Sequence, residues 1–307
     1  MGKLTEILKG LKLGEPQTFA NMRVYPLHVA NGHKRGYQTL TEGLKTGEVQ
    51  ITEVSEGGSV PDLKVKNTGG LPVLVIVGEE LIGSKQNRIL NTSVIIPANT
   101  EVLIPVSCVE QGRWHYTSRA FDSSDSTAHF AMRKMASENV TKSLREREEY
   151  DAKQGQVWAE VERKISSHQT SSRTRALRDV YEQTEDELKQ YLEAFKVPEA
   201  EGVVVEIDGV VMGAELFDHH ETLRDLWGKL IKGYALDAVE RKHNPRTAAT
   251  AHLTPQAFLE AAEKATEEPY ESVGVGSDVR LTANEVTGSS LFWEDRLIHA
   301  SLFNAKV

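Results

Sequence analysis

Between Leu71 and Trp114 the sequence sets Glu79, Glu80, Lys85, Gln86, Asn87, Arg88, Asn91, Glu110 and Arg113 among apolar, strand-forming segments. Glu79, Glu80 and Glu110 are candidate catalytic groups, because a carboxylate tuned by burial can act as the general base of a hydrolysis. The same carboxylates can accept ribose hydroxyls. Lys85, Arg88 and Arg113 supply cations for phosphate or carboxylate groups, Gln86 and Asn87 can read a base or an amide, and Trp114 offers a stacking face. In kind, this set matches a nucleotide-sugar ligand. The alternative is an internal network in which Arg88 and Arg113 pair with Glu79, Glu80 or Glu110 and hold strands together, since lone buried charges are costly.

Sharper motifs fail on their chemistry. Gly78 to Lys85 nearly spells a phosphate-binding loop, but the lysine and hydroxyl are exchanged, Gln86 follows Lys85, and two carboxylates at the loop's start would repel phosphate. No HxH or HExxH occurs among the ten histidines. His219 and His220 are adjacent, which on a helix turns them about 100° apart, so no metal site is assigned. His299 reads as a hydrogen-bonded packing residue. Cys108 has no base or helix terminus near it in sequence that would lower its pKa, and reads as a buried small side chain. The basic, hydroxyl-rich run Arg163 to Arg175 lacks an aromatic to stack bases and reads as a helix connector. No cofactor is indicated.

These groups need a scaffold, and the patterning supplies β segments. A short helix with Leu4, Ile7, Leu8 and Leu11 precedes a strand at Met22 to Val29, and Gly36 to Glu53 holds a small helix and another strand. Leu63 to Lys66, Pro72 to Gly78, Arg88 to Ile96 and Glu101 to Val109 follow as strands, with Pro97 to Thr100 as a turn and GEELIGSKQNR as a polar insert. After about Ser123 the apolar spacing turns helical, through Phe195. Strands return at Val203, where Asp208-Gly209 signals a hairpin. A helix from about His219 to Val239 has Asp218 at its N-cap and Glu221 at N3. Thr254-Pro255 opens another helix, and strands at Asp278 to Leu281, Ser289 to Trp293 and Arg296 to Phe303 follow it. Dense short strands favour an antiparallel sandwich or roll over a parallel doubly wound sheet.

The chain has 307 residues and a formal charge of −9, which argues against an extended nucleic-acid surface. One cysteine excludes an intramolecular disulfide. No apolar run approaches the roughly 18 residues of a membrane span, and the start lacks a signal-type apolar region. A cytoplasmic location is expected.

The segments TLTEGLKTGEVQITEVSEGGSVPDLKVKNTGGLPVLVIVGEELIGSKQNRILNTSVIIP, IPVSCVEQGRW and GAELFDHHETLRDLWGKLIKGYALDAVE resemble the ARPP family, the ARG and Rhodanese-Phosphatase-superfamily-associated proteins, in which ARG stands for ADP-ribosylglycohydrolase. The resemblance runs from about Asn21 to Phe303. By association it implies ADP-ribose or NAD-linked metabolism and an ADP-ribosylglycohydrolase-linked pathway, without an established reaction. The expected fold is α+β, with a mainly antiparallel sandwich- or roll-like β core, a helical insertion and C-terminal helices. An N-terminal arm over residues 1–20 precedes one domain over 21–307, divided into a β core at 21–122, the insertion at 123–200 and a hairpin, helix and strand return at 201–307. The expected function is binding or processing of an ADP-ribose-like or related nucleotide ligand. The rival is a non-enzymatic scaffold whose helical insertion binds a protein partner.

Overall fold

Apolar residues at every second position decide which way each strand of the first β region faces. In the strands Val49–Glu53, Asp62–Asn67 and Thr100–Cys108 this places Val49, Ile51, Leu63, Val65, Ile104 and Val106 on one buried side. The computed structural model, which describes residues 4–29, 34–245 and 253–307, shows these strands curling until the sheet closes. Six antiparallel strands form a barrel in the order Thr100–Cys108, Asp62–Asn67, Val49–Glu53, Phe121–Thr127, Glu79–Gly83 and Arg88–Leu90. Closure rests on the Thr100–Cys108 strand, whose residues 100–105 pair with 62–67 and whose residues 106–108 pair with 88–90. Leu81, Leu90 and Phe121 complete the interior.

The fold is α+β and mainly antiparallel, with eight helices among the described residues. The chain divides into two compact units, one of residues 36–186 with 272–275, the other of residues 1–35, 187–271 and 276–307. The first contains the barrel. It also holds a three-stranded sheet of Val94–Ile96, Val73–Val75 and Gln38–Thr39, the last pair parallel. Helix Leu40–Thr46 follows, opened by a capping box between Thr39 and Glu42 and closed by Gly47 at φ 75°. The second unit is built on a nine-stranded antiparallel sheet, centred on the Gly202–Ile207 and Val210–Phe217 hairpin and running out through Arg296–Asn304, Val286–Trp293, Ser277–Thr282 and Thr266–Glu271. Helices Leu4–Leu8 and Pro255–Ala262 pack their apolar sides against it through Leu4, Leu8, Phe258 and Leu259.

Several local expectations hold for their stated reasons. Asp208 and Gly209 both have positive φ in the hairpin turn, and Thr254 Oγ1 accepts the Ala257 N–H at 3.1 Å ahead of Pro255. His299 is buried and bonded. Its Nε2 lies 3.2 Å from Glu215 Oε2, which also accepts from Ser301 Oγ at 2.6 Å, and its ring stacks on Phe217.

Others are corrected. A closed barrel stands where a sandwich or roll was expected, because alternation buries one face of a strand equally well in either. GEELIG is no polar insert: Glu79–Gly83 is a barrel strand, pairing with Phe121–Thr127 and Arg88–Leu90. The expected strand Arg88 to Ile96 breaks at Asn91-Thr92-Ser93, where Ser93 Oγ takes the Val77 N–H and the Asn91 N–H bonds to Pro105. Its two halves enter different sheets. Thr266–Glu271 is a further strand that the sequence reading passed over. Helix His220–His243 is capped by His219, whose Nδ1 accepts from the Glu221 N–H, so the cap stands one residue after the expected Asp218. Among the described residues no helix is long and apolar enough to cross a membrane.

Gly78, the residue before the Glu79–Gly83 strand, has φ 78°, and a Cβ there would lie 2.7 Å from Arg133 Cγ. Its backbone bonds both Leu90 and Ala128. Gly78→Ala is expected to lower stability by about 1–3 kcal/mol, seen as a lower denaturant midpoint; an unchanged midpoint would show that the turn accepts a side chain.

Candidate functional site

Strand register carries Arg88 into the barrel. It pairs with Leu81 on one side and Cys108 on the other, both on the inward face, and is fully buried. The same alternation that buries Val49 and Ile51 carries Glu53 inward two residues later. Arg88 Nη2 lies 3.9 Å from Glu53 Oε1. Arg88 Nη1 donates to the Gln86 carbonyl and to Gln86 Oε1, both at 3.2 Å, but Nε and Nη2 donate to no protein atom. Glu53 Oε1 accepts from Ser84 Oγ and the Lys85 N–H, while Oε2 accepts from nothing in the protein. A buried guanidinium edge and a buried carboxylate oxygen therefore stay open side by side, an expensive arrangement for a core.

Burial is the largest influence on the Arg88 pKa and lowers it, and Arg113 adds repulsion; Glu53 and Glu110 favour the charged form. Cys108 would favour it too, but only as a thiolate. Burial pushes the Cys108 thiol up to about 11, so at neutral pH it presents no charge.

Above Arg88 lies Trp114, its ring centroid 5.8 Å from the guanidinium carbon and its side chain about half exposed. Lys85 Nζ sits 5.3 Å from the Trp114 ring and 5.0 Å from that of Tyr116. The same ammonium donates to the carbonyls of Glu56 and Gly57 at 2.6 and 2.8 Å. Lys85 thus ties the segment after Val49–Glu53 to the two aromatic rings.

The remaining candidates split. Glu110 accepts the Asn87 N–H at 3.2 Å and pairs with Arg113 at 2.6 Å. Arg113 is spent on structure: it donates to the carbonyls of Ser84, Gly83 and His115, to Thr117 Oγ1 and to Asn87 Oδ1. Asn87 Oδ1 also holds the Gly83 N–H. Together Glu110, Arg113 and Asn87 fix the turn that presents Lys85, Gln86 and Arg88. Glu79 lies one pleat deeper and bonds Ser123 Oγ at 2.8 Å. Glu80 points to the opposite face, toward Ser126 and Arg178. The three proposed carboxylates therefore do not converge. Asn91 bonds Ser107 and the Tyr150 carbonyl on the outside of the wall. Glu53 and Tyr116 were missed by the sequence reading. For Glu53 the available signal was its place in the alternation Val49, Ile51, Glu53.

The chain belongs to the ARPP-1 family: the model of the ARG and Rhodanese-Phosphatase-superfamily-associated Protein domain matches residues 10–303. No curated protein and no solved structure matches it.

Two expectations follow from the pKa directions. Burial raises the Glu80 carboxyl, with Arg178, Ser124 and Ser126 opposing only in part. A raised folded pKa makes the protonated form the stabilising one, so that stability is full below the unfolded carboxylate range and is lost as pH rises through the folded value. Glu80→Gln should therefore be more stable than the wild type at pH 8, with the gain vanishing toward pH 4. A gain independent of pH would assign the effect to packing. Cys108, buried and with its pKa near 11, should resist iodoacetamide at pH 8 in the native state and react after unfolding, as mass spectrometry of intact protein would record.

Proposed function

We propose that this ARPP-1 family member binds an ADP-ribose-like or related nucleotide ligand at the barrel mouth around Arg88. The observation that carries the reading is the fully buried Arg88 guanidinium beneath a half-exposed indole, its Nε and Nη2 donating no hydrogen bond to the protein. Nε and one terminal nitrogen form the edge that meets two oxygens of a phosphate or pyrophosphate. Glu53 Oε2, also unpaired, is suited to a ribose hydroxyl, and Trp114 and Tyr116 supply faces for a base. The ARG element of the family name favours an ADP-ribose context over other phosphorylated ligands. Entry requires Trp114 to turn away from the guanidinium. Where the bound ligand is hydrolysed, the general base falls to Glu53, since Glu79 answers to Ser123, Glu80 to Ser126 with Arg178, and Glu110 to Arg113 with the Asn87 N–H.

Thermal unfolding against ADP-ribose, NAD and AMP tests this directly. The wild type should show a saturable rise in Tm with at least one of them. Trp114→Ala, a change at an exposed side chain that leaves the fold intact, should weaken binding about tenfold. Arg88→Lys, which keeps the charge but loses the fork, should abolish the shift. A wild type that responds to none of the three would assign the polar cluster to the core and favour the scaffold reading.

A further inference from the structure

The Thr100–Cys108 strand has a second side. Ile104, Val106 and Cys108 face the barrel interior, so Leu103, Pro105 and Ser107 face outward. Against that outer face lies a cavity of about 540 Å³, walled also by Val60 and Pro61 and by the segment between helices Phe130–Arg147 and Gln154–Ser167. Gln154 fastens that segment to the wall, its side-chain amide bonding both the N–H and the carbonyl of Cys108 at 2.8 and 2.9 Å. The volume falls in the range of small-molecule sites. Leu103 and Val60 are two of the few large apolar side chains left exposed, and both line it.

The charges lining the cavity have one sign. Asp62, Glu149 and Asp151 contribute to it, and among the described residues no lysine, arginine or histidine does; Lys64, opposite Leu103 on the same face, pairs with Glu101 at 3.7 Å. Two of these acids are already answered from outside: Asp151 by Arg147 at 2.8 Å and Lys153 at 3.1 Å, and Glu149 by Arg147 at 3.4 Å. Asp62 is not. Its strand position opposite Pro105 turns it outward with Leu103 and Pro105, and among the described residues no cation or hydrogen-bond donor meets its carboxylate. Partial burial alone raises its pKa, with no neighbouring charge to bring it down. An apolar wall beside one uncompensated acid complements an apolar stem that ends in a cation.

We propose that this cavity is a binding site for an organic cation, an ammonium or guanidinium on a short aliphatic stem, with Asp62 meeting the charge and Leu103 and Val60 the stem. The site is separate from the Arg88 mouth, which takes an anion, and does not depend on it.

Calorimetric titration of the full chain with agmatine and with n-butylammonium tests the assignment, with butanol and butyrate as neutral and anionic controls of similar stem. A lysine-containing tetrapeptide amide distinguishes a free amine from a side chain as the source of the same chemistry. Saturable binding of a cation is expected, at least tenfold tighter than either control, and weakened tenfold or more by Asp62→Asn. Leu103→Ser provides a second variant, should weaken binding through the stem, and keeps the test decisive if Asp62→Asn melts early. Arg88→Lys should leave cation binding unchanged whatever its effect on nucleotides. Absence of cation binding at millimolar concentration, equal binding of butanol, or full affinity in both cavity variants overturns the proposal.

Discussion

The double pairing of one strand governs the candidate site. Because Thr100–Cys108 hydrogen-bonds to Asp62–Asn67 over its first part and to Arg88–Leu90 over its last, the sheet has no free edge and must enclose what its inward face carries. At one end that content is Arg88, opposite Cys108. A neutral thiol cannot balance a guanidinium, so the balance comes across the barrel from Glu53, two strands further round. Closure thus brings together two charges 35 positions apart, yet leaves them 3.9 Å from each other and incompletely bonded. Around them the turn carrying Lys85 to Asn87 is held by Arg113 and Glu110, which accounts for the density of polar groups without giving each a ligand to hold.

Two kinds of polar residue are therefore mixed in GEELIGSKQNR and VEQGRW. Arg113, Asn87 and Glu110 satisfy backbone groups of a tight connection, where an unpaired N–H or carbonyl would be costly. Arg88 and Glu53 keep unpaired atoms beneath aromatic cover. A list of residue types cannot separate these roles, since an arginine saturated by five acceptors and an arginine with an open edge are the same letter.

Local signals were legible where the backbone itself demanded a residue: the Asp208-Gly209 turn, the Thr254-Pro255 helix start and the alternating strands after Val49. Legibility failed where polar density overrode periodicity. Read as an insert, GEELIG puts Glu79 and Glu80 side by side in one site; read as the strand it is, the same pair must face opposite sides of the wall. Glu53 escaped notice because a carboxylate at a strand end ordinarily belongs to solvent, and only barrel closure, a long-range event, turns that end inward. The choice of barrel over sandwich has the same origin, since it depends on which distant strands pair.

The division into units also orders events in time. The Met22–His28 strand meets Lys12–Leu13 and Gln17–Phe19 as soon as it is made, but its pairing with Gly202–Ile207 waits while some 170 intervening residues emerge during synthesis. The barrel strands, all between Val49 and Thr127, have every partner within reach long before then. Only the clip at Ser272–Val275, whose Val275 N–H bonds to Ile95, arrives late for that unit. The barrel is thus the part of the molecule equipped to assemble on the ribosome, and the large sheet, with an early strand waiting on a late one, is the part exposed to mispairing.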